Sequence, residues 1–128
     1  MSDKNTFYEL TFILNPVLDD EQYKKEVDKF KDTLEKQDAE VDEIDEWGNR
    51  AFEYEMDGKH SGYYVNAYFE APSSAIEEIE RTLRINDNVM RYITLKYDAK
   101  MQRHRQLQKK NAVPNVFEVE EEEGEGEN

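Results

Sequence analysis

The chain has 128 residues, 37% hydrophobic and 38% charged, with 17 Lys+Arg against 31 Asp+Glu and a formal net charge of −14. That length suits one domain with a tail, and the 6 Phe, 8 Tyr and 1 Trp are enough for a small packed core, which argues against full disorder. The lack of cysteine excludes a disulfide framework, a thiolate metal site and a cysteine nucleophile, no run approaches the roughly 18–20 apolar residues of a membrane span, and an acidity of this size, if evenly spread, argues against nucleic acid.

Met1-Ser2-Asp3-Lys4-Asn5 has none of the marks of a signal peptide. Residues 7–14 have strand composition, with Tyr8, Leu10, Phe12 and Leu14 on one face at period two and Asn15-Pro16 as the stop. Asp19 then opens a helix, with Gln22 three residues on as in a capping box. Tyr23, Val27, Phe30 and Leu34 follow at spacings of four, three and four, a single amphipathic stripe. Acids crowd the start of that helix and Lys29, Lys31 and Lys36 its second half, as the helix dipole favours.

From Val41 to Met56 the pattern is a long, highly charged strand in which Val41 and Ile44 have opposite parity. Gly48, inside it, predicts a bulge or a close backbone approach. Asp57-Gly58 is a turn dipeptide, although Lys59, His60, Ser61 and Gly62 leave room for a longer loop. Tyr63 to Phe69 is the next strand, ended by Pro72. Ser74 and Glu77 predict a second capping box, and Ile76, Ile79 and Leu83 line a second helix. Asp87-Asn88 turns the chain into a last strand, Val89 to Tyr97. Two helices cannot cover both faces of a four-stranded sheet, so they share one face and leave the other open. This is the α+β, ferredoxin-like split β-α-β layout, βαββαβ.

The charge is unevenly spread along this chain. Residues 118–128 carry seven Glu and no base, residues 99–110 carry five bases and no acid, and residues 1–98 hold 24 acids and 12 bases. Like charges in succession repel, and Gly124 and Gly126 loosen the backbone, so 118–128 reads as a disordered acidic tail. Residues 99–117 read as a basic linker or a helix extension, equally an RNA-contacting arm or a solvated connection. The body, 1–98, is the ferredoxin-like domain. Its one basic-leaning stretch is 81–97, with Arg81, Arg84, Arg91 and Lys96 against Asp87.

Enzymatic constellations are missing. His60, in the hairpin loop, and His104, in the basic stretch, have no helical ligand spacing. Asp42, Glu43, Asp45 and Glu46 alternate along a charged strand, where a solvated edge is a better account than a paired acid–base site that needs burial. Neither helix start follows a glycine-rich phosphate loop, which also disfavours an acylphosphatase-like anion cradle. No cofactor, small-molecule substrate or membrane is called for. The single-stranded RNA signature of this fold wants a base and alternating aromatics on the third strand, whereas Ser61-Gly62-Tyr63-Tyr64-Val65-Asn66 has neither, and Tyr63 and Val65 read as core. Better RNA candidates are cations near strand ends: Arg50 and Lys59 beside the hairpin, and Arg81, Arg84 and Arg91 around the second helix and last strand. Arginine suits phosphate by its fork geometry, although composition alone favours a solvated rim.

Three stretches resemble the bacterial small-subunit ribosomal protein six family. They are Tyr8-Glu9-Leu10-Thr11-Phe12-Ile13-Leu14-Asn15-Pro16-Val17-Leu18-Asp19; Trp47-Gly48-Asn49-Arg50-Ala51-Phe52-Glu53-Tyr54-Glu55-Met56 with Gly62-Tyr63-Tyr64; and Leu83-Arg84-Ile85-Asn86-Asp87-Asn88-Val89-Met90-Arg91-Tyr92-Ile93, the most specific. The resemblance implies a non-catalytic constituent of the small ribosomal subunit in the cytoplasm. It implies binding to the central domain of small-subunit rRNA and a heterodimer with small-subunit ribosomal protein eighteen. By matched position it assigns phosphate contact to Arg84 and Arg91, then to Tyr8 and Arg50, and more loosely to Lys59. Tyr8 shares parity with the core, and Arg50 has strand carboxylates to pair with. Phe52, Glu53 and Met56 depart from the family's Leu, Ala and Ile; the apolar exchanges are of a kind that repacking tolerates, while Glu53 and Glu55 add acid to the strand. Residues beyond Ala99 lie outside the resemblance. The alternatives are a ferredoxin-like regulatory domain that oligomerises through its open face, and an acidic protein-interaction module using strand 40–55.

Overall fold

Period-two apolar patterns build the strands here, and two period-3.6 stripes build the helices that cover them. The computed structural model describes residues 5–115. Their order is β1 (Asn5–Leu14), α1 (Asp20–Lys36), β2 (Glu40–Met56), β3 (Lys59–Pro72), α2 (Ala75–Arg84), β4 (Val89–Tyr97) and α3 (Ala99–Asn115). The sheet runs β2-β3-β1-β4, with β3 antiparallel to both β1 and β2, so the ferredoxin-like βαββαβ arrangement is the one observed. The chain divides into two units, one reaching Lys96 and a second from Tyr97 that contains α3. The acidic stretch 118–128 lies outside the described residues.

The core forms where β1 and β3 present one face to both helices. Tyr8, Leu10, Phe12 and Leu14 meet Val65, Ala67, Phe69 and Ala71, and all are buried beneath Tyr23, Val27, Phe30 and Leu34 of α1 and Ala75, Ile79 and Leu83 of α2. Burying each large apolar side chain contributes roughly 1.5–3 kcal/mol. Phe12 and Phe30 meet at 4.8 Å between ring centroids, and Tyr23 stacks on Tyr63 at 3.9 Å.

The expected capping box opens α1: the Gln22 N–H donates to the Asp19 carboxylate and the Asp19 N–H to the Gln22 side chain, both at 2.9 Å. The second expected box does not form. Ser74 already has helical dihedrals, φ −67° and ψ −19°, and makes no side-chain cap bond; an N-cap hydroxyl reaches the third helical N–H only from an extended backbone.

Bulges reconcile the mixed parity of β2. Val41 pairs with Phe69 and Ile44 with Ala67, because the register shifts between Val41 and Glu43 and returns both side chains to the helix side. A second shift lies at Gly48, whose φ of +85° only glycine adopts freely. The hairpin is tighter than the longer loop that Lys59–Gly62 left open. Asp57 and Gly58, both at positive φ, form a two-residue turn between paired Met56 and Lys59. Lys59–Gly62 and His60 therefore belong to β3 rather than to a loop.

The face away from the helices is only partly open. Phe7 and Ile13 are buried there and Asn66 is 1% exposed, with its carbonyl accepting the Thr11 hydroxyl. Phe7 stacks on Tyr68 at 6.2 Å. A Cβ on Gly62 would stand 2.3 Å from Ile13 Cγ2 and 2.9 Å from Phe52 Cζ, so these side chains close over the strand only because position 62 has none.

Candidate nucleic-acid interface

β1 stops at Leu14, opposite Tyr63, while the β2–β3 hairpin runs on to its turn at Asp57-Gly58. The Asn15 N–H donates to the Asn88 carbonyl at 2.9 Å, so β4 begins at this same end of the sheet, and α2 finishes beside it. The topology thus gathers Arg50, Lys59, Arg84 and Arg91 at one end of the molecule. Arg50 on β2 lies three strand spacings, about 14 Å, from the β4 side that carries Arg84 and Arg91, and Lys59 on β3 stands about 10 Å farther out along the hairpin than Arg50.

Arg84 and Arg91 straddle the β4 edge. Tyr92 packs against the core beneath the helices, so alternation turns Arg91 to the other face. Arg84, the last residue of α2, donates from Nη1 to the Tyr92 hydroxyl at 3.2 Å and stays on the helix side. Both guanidinium groups are exposed. Arg81 is different: Nε and Nη2 grip the two oxygens of Glu78 at 2.9 and 2.7 Å. That hydrogen bond holds the Glu78 carboxyl below its usual range, and it removes Arg81 from the patch that composition suggested.

Across the sheet, Arg50 lies over the Trp47 indole, 5.5 Å from its centroid. The bulge at Gly48 lets Trp47 stack on Tyr64 at 6.0 Å, and Trp47 Nε1 donates to Asp45. Lys59 is half-exposed at the first position of β3. Among the described residues no carboxylate lies within ion-pair distance of Arg50, Lys59, Arg84 or Arg91. Tyr8 does not join this group. It is 5% exposed, tilted against Phe69 at 5.9 Å, and sits six residues up β1 from Leu14, about 20 Å away at strand rise. Its ring is committed to the core.

The turn that carries the two β4-side arginines is held from α1. Glu26 accepts Asn86 Nδ2 at 2.6 Å and Asn88 Nδ2 at 2.7 Å, while Asn86 Oδ1 accepts the Asn88 N–H at 2.9 Å. Periodicity gave no sign of this, because Glu26 sits beside the apolar stripe where any polar residue fits. Asn86-Asp87-Asn88 reads in sequence only as a turn.

Near the end of β1, Tyr63 donates its hydroxyl to Glu46 at 2.7 Å. Burial, together with that carboxylate, pushes the phenol up from 10.0 to about 12. The folded-state value lies above the unfolded one, so the stabilisation is complete below pH 10 and is lost as pH rises from 10 to 12. Ultraviolet difference titration of the chain against Tyr63→Phe is expected to show one phenol ionising near pH 12; a missing component near pH 10 would contradict the contact.

The second unit supplies a helix. The Asp98 side chain and carbonyl accept the N–H groups of Met101 and Gln102 at 2.8 and 3.0 Å, which caps α3. Lys100, Arg103, Arg105, Lys109 and Lys110 ride on it, and it has no coherent apolar stripe, with Met101 and Leu107 exposed. Among the described residues no group of three or more His, Asp or Glu is placed to hold a metal ion, and no helix is long and apolar enough to cross a membrane.

Comparison with known proteins gives one consistent result. The family model described as ribosomal protein S6 matches residues 7–96. The chain is 41% identical over 91 residues to small ribosomal subunit protein bS6 of Carboxydothermus hydrogenoformans, covering 71% of this chain and 95% of that one. To the protein of the same name from Christiangramia forsetii it is 44% identical over 91 residues, covering 71% and 81%. The crystal structure of 30S ribosomal protein S6 from Thermotoga maritima superposes with a TM-score of 0.74 at 25% identity, covering 82% of this chain and 99% of that one.

Proposed function

The chain belongs to the ribosomal protein S6 family, and from that premise we propose that it binds the central domain of small-subunit rRNA, as a heterodimer with small-subunit ribosomal protein eighteen. As a family member it is a structural, non-enzymatic component of the small ribosomal subunit, in the cytoplasm. The finer roles are the proposal. Arg84 and Arg91 hold phosphates from the two sides of the β4 edge, Arg50 and Lys59 reach a second segment of backbone, and Tyr8 shapes β1 from within. RNA binding belongs to residues 1–98, with 99–117 leading to the acidic end.

One observation carries this reading. In a body of 24 acids and 12 bases, four cations share one end of the sheet without a carboxylate in ion-pair reach among the described residues. Contacts to phosphate position a protein on RNA, while shape and partners supply the rest. Glu53, Glu55, Asp57 and Asp87 flank the same end and limit what four cations gain alone. A basic partner offsets that repulsion. Exposed Ile93, Leu95 and Trp47 offer it apolar contact.

Titrating a central-domain rRNA fragment with the chain alone, then with equimolar protein eighteen, tests the pairing. Weak, strongly salt-sensitive binding by the chain and tight binding by the pair are expected. Equally tight binding by the chain alone would overturn the partner requirement.

A further inference from the structure

The geometry points to Glu26 as the positioning residue of the RNA interface: through Asn86 and Asn88 it sets the spacing and orientation of Arg84 and Arg91. This inference rests on the RNA reading given above and adds to it a residue that makes no RNA contact.

The turn between α2 and β4 is short, and it is braced from α2, β1 and α1 as well as by its own hydrogen bonds. The Ile85 N–H donates to the Arg81 carbonyl at 3.0 Å, the Asn86 N–H to the Leu83 carbonyl at 3.2 Å, and the Val89 N–H to the Asn86 carbonyl at 3.0 Å. From β1, Asn15 binds the Asn88 carbonyl at 2.9 Å. From α1, the two oxygens of Glu26 take one amide each, at 2.6 and 2.7 Å, across about sixty residues of sequence. Val27, next in the helix, is 2% exposed, so the carboxylate is held from a rigid base. Arg84 leaves the helix two residues before the clamped pair, and Arg91 stands three residues after it.

The clamp needs a hydrogen-bonding group facing each amide. Each side-chain amide presents N–H groups, and an ionised carboxylate is an acceptor at both oxygens. In Glu26→Gln the Asn88 amide turns its own oxygen toward the new NH2 and both struts survive, whereas Glu26→Ala removes both. Either substitution removes a negative charge near an anionic ligand, which by Coulomb's law alone strengthens RNA binding. In Glu26→Ala, positioning and charge therefore give opposite signs.

The experiment measures affinity and salt slope for the rRNA fragment with the chain paired to protein eighteen, at matched folded fraction by thermal melting. Glu26→Ala is expected to weaken binding by about threefold or more, a factor that one lost hydrogen bond already represents, and to lower the salt slope, while Glu26→Gln, which keeps both struts and loses the charge, is expected to bind at least as tightly as the unsubstituted chain. Asn88→Ala keeps the net charge, removes one of the two struts and should do the same as Glu26→Ala, which also serves if Glu26→Ala melts below the assay temperature. The double substitution Glu26→Gln with Asn88→Asp keeps a donor–acceptor match at unchanged net charge, and is expected to retain the affinity. Binding unchanged or tighter in Glu26→Ala and Asn88→Ala, while Arg84→Ala weakens it, would overturn the positioning role and leave the RNA reading intact. Binding indifferent to Arg84→Ala as well would overturn both.

Discussion

Replacing Phe12 with alanine is expected to cost about 3–5 kcal/mol of folding stability. Phe12 is 1% exposed, packs on Phe30 of α1 at 4.8 Å and lines a groove with Leu83 of α2 and Val89. Truncation leaves a void between three elements that are fixed independently, so little collapse is available to refill it. A domain of this size has about 5–15 kcal/mol in total, and the loss should lower Tm by more than about 12 °C. Chemical denaturation checks this, with Val17→Ala as the reference, because Val17 is 71% exposed and should change stability by less than about 0.5 kcal/mol. A cost for Phe12→Ala near that of Val17→Ala would mean that the helices do not close on β1.

Much of this fold was legible because its signals are local and periodic. The stripe Tyr23–Val27–Phe30–Leu34, the alternation of Tyr8 to Leu14, the bulge at Gly48 and the limits of β4 all follow from spacing, and each is observed. The misreadings came where backbone geometry decides. Ser74 and Glu77 have the composition of a capping box, but composition does not say that Ser74 is already helical. Lys59 to Gly62 look like loop residues, yet the type of turn at Asp57-Gly58 returns them to the ladder.

The candidate site was legible to a lesser degree. The cations themselves stand out in an acidic chain, but their grouping at one end depends on strand order, and Arg81 is separated from Arg84 only by its grip on Glu78. Tyr8 shows the limit from the other direction: its matched position suggested RNA, its parity suggested core, and 5% exposure places its ring in the core. Glu26, Asn86 and Asn88 could not be found from spacing, since they meet only after α1 and the α2–β4 turn have packed.

The net charge of −14 takes its meaning from this map. Half of it belongs to residues 118–128, and the acidic body should suppress non-specific RNA binding, while among the described residues four cations at one end have no carboxylate in ion-pair reach. Specific contact then depends on few phosphates, and each of them should be countable. A cation that neutralises a phosphate releases a counterion, so each contact steepens the fall of log affinity with log salt by about 0.7–0.9. If Arg84 and Arg91, on opposite sides of the β4 edge, meet different phosphates as proposed, their losses should add.

Salt titration of the paired chain on the central-domain rRNA fragment is the direct measurement. The expected result is a slope lower by about 0.7–0.9 for Arg84→Ala or Arg91→Ala and by about 1.4–1.8 for the two together, with Arg81→Ala close to the unsubstituted chain. An unchanged slope in both single variants and in the double, with the fold intact, would contradict RNA binding at the β4 edge.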